Sequence, residues 1–363
     1  MNRNVKMTIV AVAIATSVSS IAVMPAQAGI FETLAGGALS MAYVSTALNK
    51  MDNSPEGQAE SLAAVKERTG YLEDRAAQAR VQRIMENLVA TPLVKRSYVV
   101  YVNPSEEFNA FATIGRVMSV NKGALDVLDD DQLAYVMAHE IAHGENKDII
   151  NGAKKQVGVA TAAGLAGGGG SAILAGIAGN YLNNQVFTMS QEKKADELGF
   201  NILAESKYNL GGAAGSMAII RNTAGDVYRE GLGQVINPNN HPKTSHRVRD
   251  NIARMYTYSG NHVQVEHDTV IVNGDAIYTP AASGRYTGEE RAYYMAGKLA
   301  RLYHDNRITP GSASHQGATV VVAGQSIVTT PGADVANMVA TNLNNAFAKE
   351  VPTSKAKKKA AKK

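Results

Sequence analysis

Asp129-Asp130-Asp131-Gln132-Leu133-Ala134-Tyr135-Val136-Met137-Ala138-His139-Glu140-Ile141-Ala142-His143-Gly144 opens on three carboxylates and then turns apolar. Acids at the start favour a helix through capping and the macrodipole. The spacing therefore predicts a helix up to His143, closed by Gly144. On such a helix His139 and His143 stand at i and i+4, one turn apart on the same face. Their imidazoles can converge on one zinc ion at about 2.0–2.1 Å. Glu140 is rotated by about 100° from His139. It can face a water held by the ion and take its proton. The apolar neighbours Val136, Met137 and Ile141 fit a buried active-site helix better than a surface helix with two solvated histidines.

A zinc site of this kind needs a third protein ligand. The metzincin form would require glycine at 146 and histidine at 149, where the chain has Asn146 and Ile149. The other solution is a glutamate from a later helix. Thr188 and Gln191 fit a capping box that starts a second helix. Glu192 lies on it and can ligate. Asp196, one turn further on the same face, can hold the second N–H of a ligand histidine. Ala195 and Gly199 are small enough to let the two helices approach closely.

Together these residues resemble the zinc metallopeptidase family of the CAAX prenyl protease and the heat-shock protease HtpX, in its soluble periplasmic, BepA-like branch. Asn109-Ala110-Phe111-Ala112 and His241-Pro242, with Arg247 after it, are also similar to that family. The likeness covers roughly residues 55–258. It departs at Thr113-Ile114-Gly115, where the family has Pro-Gly-Gly, and in the glycine-rich stretch between the two motifs. The resemblance implies an α+β protein: a mostly helical zincin (gluzincin) catalytic domain with a small edge sheet. It implies one Zn2+ per subunit and protein or peptide substrates, with unfolded or misassembled envelope proteins as the expected targets. It implies that the strand within Phe111 to Val120 lies over the cleft, where a peptide could pair with it. An ordinary core strand is the other reading. His241 could donate to the oxyanion, occupy the fourth zinc position, or have no role. Arg247 could pair with Asp196 or another buried carboxylate. The alternative to a working protease is a chaperone or assembly factor whose site is gated.

Upstream, residues 56–90 have a helical period that runs through Leu62, Val65, Tyr71, Leu72, Val81, Ile84, Met85 and Leu88 and stops at Thr91-Pro92. Tyr98 to Val102 reads as a strand, Phe111 to Val120 as further strand, and Asn121-Lys122-Gly123 as a turn. Residues 29–54 are small and apolar, a helix against the domain or a membrane surface. Met1–Met7 is basic and Thr8–Val23 apolar, and Ala26-Gln27-Ala28 suits a signal peptidase. Residues 1–28 are read as a cleaved secretory signal, and the compartment as the periplasm or cell envelope.

Downstream, residues 157–179 hold eight glycines, too many for a stable membrane span. A lid, a membrane-touching hairpin and a buried helical pair remain open. Thr269–Pro280 resembles Thr319–Pro331 at a period of 50 residues, so 55–260 is expected as the peptidase domain and 261–350 as two β-β-α repeats. His246, His262, His267, His304 and His315 form no pattern and are expected at the surface.

The chain has no cysteine, which excludes disulfides, thiolate metal sites and cysteine nucleophiles. Its net charge is +4, yet Arg3, Lys6 and six lysines in the last ten residues lie at the ends, so the body between is net −4. No global field points to nucleic acid. The tail 351–363 is expected to be disordered. It has no aromatic residue to stack bases, and its lysines could touch anionic lipid or simply be solvated.

Overall fold

The computed structural model describes residues 41–162, 187–224 and 243–349. The expected signal peptide of residues 1–28, most of the glycine-rich stretch, His241 and the lysine tail lie outside them. Among the described residues no helix is long and apolar enough to cross a membrane.

Helix α1 (Met41–Asn53) lies against α2 (Pro55–Thr69) and α6 (Asp148–Ala162), with Leu48 and Met51 buried. The single helical stretch expected over 56–90 is two helices, α2 and α3 (Arg75–Val89). Gly70 ends α2 at φ 79°, and Asp74 caps α3 by accepting from the Ala76 and Ala77 amides. Between them Leu72 N–H donates to Val102 O. The connection thus extends the sheet edge, which a helical period cannot reveal.

That sheet has the order β1-β3-β2, with β1 (Val99–Asn103) parallel to β3 (Val117–Asn121) and β2 (Ala110–Thr113) antiparallel to it. The strand expected over Phe111 to Val120 is a hairpin, because Gly115 (φ 81°) and Arg116 (φ 61°) take left-handed conformations. Of the two hairpin strands, β2 lies at an edge of the sheet and β3 at its centre. The expected turn at residues 121–123 is instead the start of a short helix, α4 (Lys122–Val127). The hairpin turn is fixed from α1. Buried Asp52 accepts from Gly115 N–H and pairs with Arg96, while Arg116 donates to Asp52 O and to Ser97.

Helix α5 (Asp130–Glu145) is the centre of the molecule. It packs on α3, β2, α6, α7 (Met189–Glu205) and α8 (Gly211–Ala224). Asp129 and Gln132 form a capping box at its start. Gly144 does not close it. The helix runs on to Glu145, and Gly144 is where the Tyr98 hydroxyl leaves no room for a Cβ atom.

Helix α9 (Thr244–Tyr258) packs on α8. Two units of one element order follow: β4 (Val263–Glu266), β5 (Thr269–Val272), β6 (Asp275–Tyr278) and α10 (Gly288–His304), then β7 (Ala313–Gln316), β8 (Thr319–Val322), β9 (Gln325–Thr329) and α11 (Ala333–Phe347). Each sheet has three strands where the sequence promised two, and each has a register shift at its middle strand, at Val270/Ile271 and Val320/Val321. Each helix packs on strands of both sheets. The hydrophobic core does not stop near residue 260. One cluster runs from Ala77 to Phe347 and joins α3, α5 and α8 to both C-terminal sheets. At the seam α10 packs on α8, and buried Gln132 donates to Glu290 at 2.8 Å. His246, His267, His304 and His315 are exposed, whereas His262 is half-buried and stacks on Tyr303.

Candidate metal centre

The three residues read as ligands come together. His139 and His143 project from α5, and Glu192 comes from the first turns of α7, whose start is set by the Thr188–Gln191 capping box. Their nearest ligand atoms all lie within 4.8 Å of one another. The two Nε2 atoms are 3.2 Å apart. Glu192 Oε1 is 3.4 Å from His143 Nε2, and Oε2 is 3.7 Å from His139 Nε2. The helices approach this closely because Gly199 faces His139. A Cβ at 199 would lie 3.0 Å from the His139 backbone N and Cα.

The far nitrogens decide what the near ones can do. His139 Nδ1 is 3.0 Å from Asp196 Oδ1, and His143 Nδ1 is 3.0 Å from Asp148 Oδ2. A carboxylate only accepts, so these shorter contacts favour a hydrogen on each Nδ1, over the 3.4 Å approach of Arg247 Nη2 to His139 Nδ1, and leave each Nε2 free to present a lone pair to a metal. Glu192 is fully buried, and among the described residues neither of its oxygens receives a hydrogen bond. Three acceptors thus converge with no donor between them. That is costly unless a cation fills the gap. Two nitrogens bound to one tetrahedral ion at about 2.0–2.1 Å stand about 3.3 Å apart, close to the observed 3.2 Å. The residues fit a metal ion.

The local charge agrees. Glu140, Asp148, Glu192 and Asp196 are all buried, and the buried guanidinium of Arg247 faces two of them, Asp196 and Glu192. Arg247, from α9, grips Asp196 through Nε (2.9 Å) and Nη2 (2.6 Å), and Tyr135 OH donates to the same carboxylate at 3.1 Å. Burial opposes ionisation of Asp196, but Arg247 and His139 outweigh it and hold its pKa well below the ordinary range. Glu192 is held down to about 2 against its burial by His143, His139 and Arg247. Burial works against a charge on His143 too, yet its bond to Asp148 and the nearby carboxylates of Glu192 and Glu140 push its pKa up to about 10. Without a metal, the cluster draws a proton instead.

Glu140 stands beside this group. It is 5% exposed, and burial raises its pKa against the pull of His139, His143 and the Ala112 amide. Its Oε2 accepts from Ala112 N–H at 3.0 Å. In the β2–β3 ladder, Asn109 and Asn121 form a bonded pair, so the Ala110 and Ala112 amides point away from β3. The upstream strand therefore reaches the motif through one backbone hydrogen bond.

Sequence reasoning missed Asp148, Tyr135 and Phe187. Tyr135 carried a signal, since 135, 139 and 143 continue one face of α5. Asp148 carried none beyond being an acid at a helix start, a common place for one. Phe187 stacks on His143 at 3.8 Å between ring centroids. Nothing in the sequence marks it.

Residues 73–253 match the model of Peptidase family M48. Among curated proteins, the chain is similar to one from Vibrio cholerae provisionally named beta-barrel assembly-enhancing protease. The two are 29% identical over 178 residues, 46% of this chain and 36% of that protein. It is also similar to a protease HtpX homolog of Salinibacter ruber, 50% identical over 56 residues, 14% of this chain and 20% of that protein. An HtpX homolog of Desulfatibacillum aliphaticivorans is 42% identical over 77 residues, 20% of this chain and 23% of the relative. The chain thus spans about a third of the first relative and about a fifth of the other two.

Proposed function

Since residues 73–253 belong to peptidase family M48, we propose that this chain is a zinc-dependent endopeptidase that cuts unfolded or misassembled proteins of the cell envelope. The observation that carries the reading is the convergence of His139, His143 and Glu192, three acceptors without a donor, beside a buried Glu140. Zinc held by the three ligands would lower the pKa of a water to about 7 and polarise the scissile carbonyl. Glu140 takes the proton of the attacking water and returns it to the leaving amine. The Ala112 amide aims its carboxylate. Asp196 and Asp148 keep the imidazole nitrogens turned toward the ligand pocket, and Arg247 fixes Asp196. A substrate strand lying along β2 would have its backbone carried past Glu140. His241 retains its proposed role as oxyanion donor or fourth ligand. The envelope assignment draws on the expected signal peptide and on the printed name of the Vibrio relative. The two C-terminal units, equal in element order and in the place of their register shifts, are proposed as a tandem repeat.

A second reading is favoured by burial. With Glu140 at 5% and both histidines at 3% or less, the site suits a factor that holds clients and cuts them only when opened.

The test is cleavage of an unfolded protein by the mature chain beside Glu140→Gln, with zinc content measured for both. The expected result is one zinc per subunit in each, and cleavage lower by about 10²–10⁴-fold in the variant. Equal cleavage would remove Glu140 from the mechanism. Client holding that survives the substitution, with no cleavage by either protein, would favour the second reading.

A further inference from the structure

Asp148 is the first residue of α6, and the mechanism above uses only one of its two oxygens. It is 7% exposed, and both of its oxygens are used. Oδ2 meets His143 Nδ1 at 3.0 Å, and Oδ1 accepts from Gln191 Nε2 at 2.9 Å. Gln191 is the residue before Glu192. Its own Oε1 accepts from the Thr188 amide and hydroxyl, closing the capping box that starts α7. One carboxylate therefore holds a ligand histidine on one side and, on the other, the turn that carries the ligand glutamate.

We propose that Asp148 is a positioning residue, a clasp that fixes the metal-binding tautomer of His143 and, through Gln191, the seat of Glu192. This rests on the zinc reading above. It extends that reading to a residue outside both motifs and makes the hydrogen bond between the first turns of α6 and α7 part of the affinity for the metal.

The chemistry of substitution separates the two arms. Alanine at 148 removes both acceptors. Asparagine keeps one acceptor oxygen and places a donor where the second acceptor was, so it cannot serve His143 and Gln191 together. Gln191→Ala spares the histidine arm and cuts the other. Losing a partner of this kind costs roughly 10–100-fold in metal affinity.

The experiment is zinc affinity at neutral pH by competition with a chromophoric chelator, on the full mature chain. Wild type, Asp148→Ala, Asp148→Asn and Gln191→Ala are compared, with His143→Ala as the zero. Thermal unfolding in chelator reports the metal-free fold. The expected result is a roughly 10–100-fold weaker zinc affinity for Asp148→Ala, with smaller losses for Asp148→Asn and Gln191→Ala. A purely structural role would lower the metal-free unfolding temperature and leave zinc affinity unchanged, which overturns the clasp. Should the alanine variant not fold, the asparagine and Gln191 variants decide by the same criterion. If wild type holds zinc no better than His143→Ala, the zinc reading itself fails, and the clasp with it. If wild type holds zinc and all three variants match it, only the clasp fails.

Discussion

Asp131 shows how one residue can work against its own fold. Burial pushes its carboxyl up to about 6, its neighbours Asp129 and Asp130 add to this, and the Asn209 amide pulls the other way. A carboxyl whose folded pKa exceeds the unfolded value of about 3.9 binds its proton more tightly in the native state. Its contribution to stability is full below about pH 4 and is lost as the pH rises toward 6. Asp131→Asn keeps the acceptor for Asn209 and removes the charge. Against this stands the favourable place of an acid in the first turn of α5, worth about 0.3–1 kcal/mol. Two pKa units correspond to about 2–3 kcal/mol, less some screening for a half-buried group. The burial effect wins, so the variant should be about 1 kcal/mol more stable at pH 7, with the gain fading toward pH 4. Thermal unfolding across that range checks it; a less stable variant at pH 7 would mean the macrodipole dominates. At this scale the sequence was informative where spacing carries chemistry. His139, His143, Glu192 and Asp196 stand on two helices at turn intervals, and the family likeness left Asp196 as one of the carboxylates Arg247 could pair with. Asp148 was illegible because its meaning comes from Gln191, 43 residues away, and no local pattern joins them.

Among the elements, the pair α5 and α7 is set by a missing side chain. Alanine in place of Gly199 would gain about 1 kcal/mol of helix propensity. It would also place a methyl group 3.0 Å from the His139 backbone, which cannot swing aside as a flexible side chain can. Overpacking of this sort costs about 1–3 kcal/mol, so the clash wins. Gly199→Ala should lower stability by about 1 kcal/mol and weaken zinc binding, because the helix bearing Glu192 is pushed from the helix bearing the histidines. Unfolding in chelator and a zinc competition assay measure the two effects separately, and unchanged zinc affinity would show that Glu192 can follow the shift. The strands were harder to read than this helix pair. Phe111 to Val120 is apolar enough to pass for one strand, and its reversal rests on the conformations of Gly115 and Arg116 and on Asp52 beneath them. Ala313-Ser314-His315-Gln316 has three exposed polar residues in four. It becomes a strand only because β8 offers it an edge.

For the molecule as a whole, the shared core sets a strict condition on trimming. A chain cut after Ser259 would uncover the face of α8 that α10 covers and leave buried Gln132 without Glu290. Gly297 of α10 also sits against Gly211 and Asn209 with no space for a Cβ atom, so the seam is as close as an interior contact. The truncated chain should fail to unfold cooperatively and should bind a hydrophobic dye. A sharp unfolding transition in the truncated chain would show that the peptidase part folds alone. That small sheets and helices follow the peptidase part was legible, because it lies in local sequence. The union of those units with the catalytic core was not, because it depends on contacts between Gln132 and Glu290 that are 158 residues apart. The same continuity bears on a hazard particular to proteases. An enzyme that cuts loosened chains is a substrate for its own neighbours whenever part of it opens, and regions open singly where the core is divided. Among the described residues, one core from Ala77 to Phe347 ties α3, α5 and α8 to both C-terminal sheets, so these elements should resist self-digestion together rather than one by one.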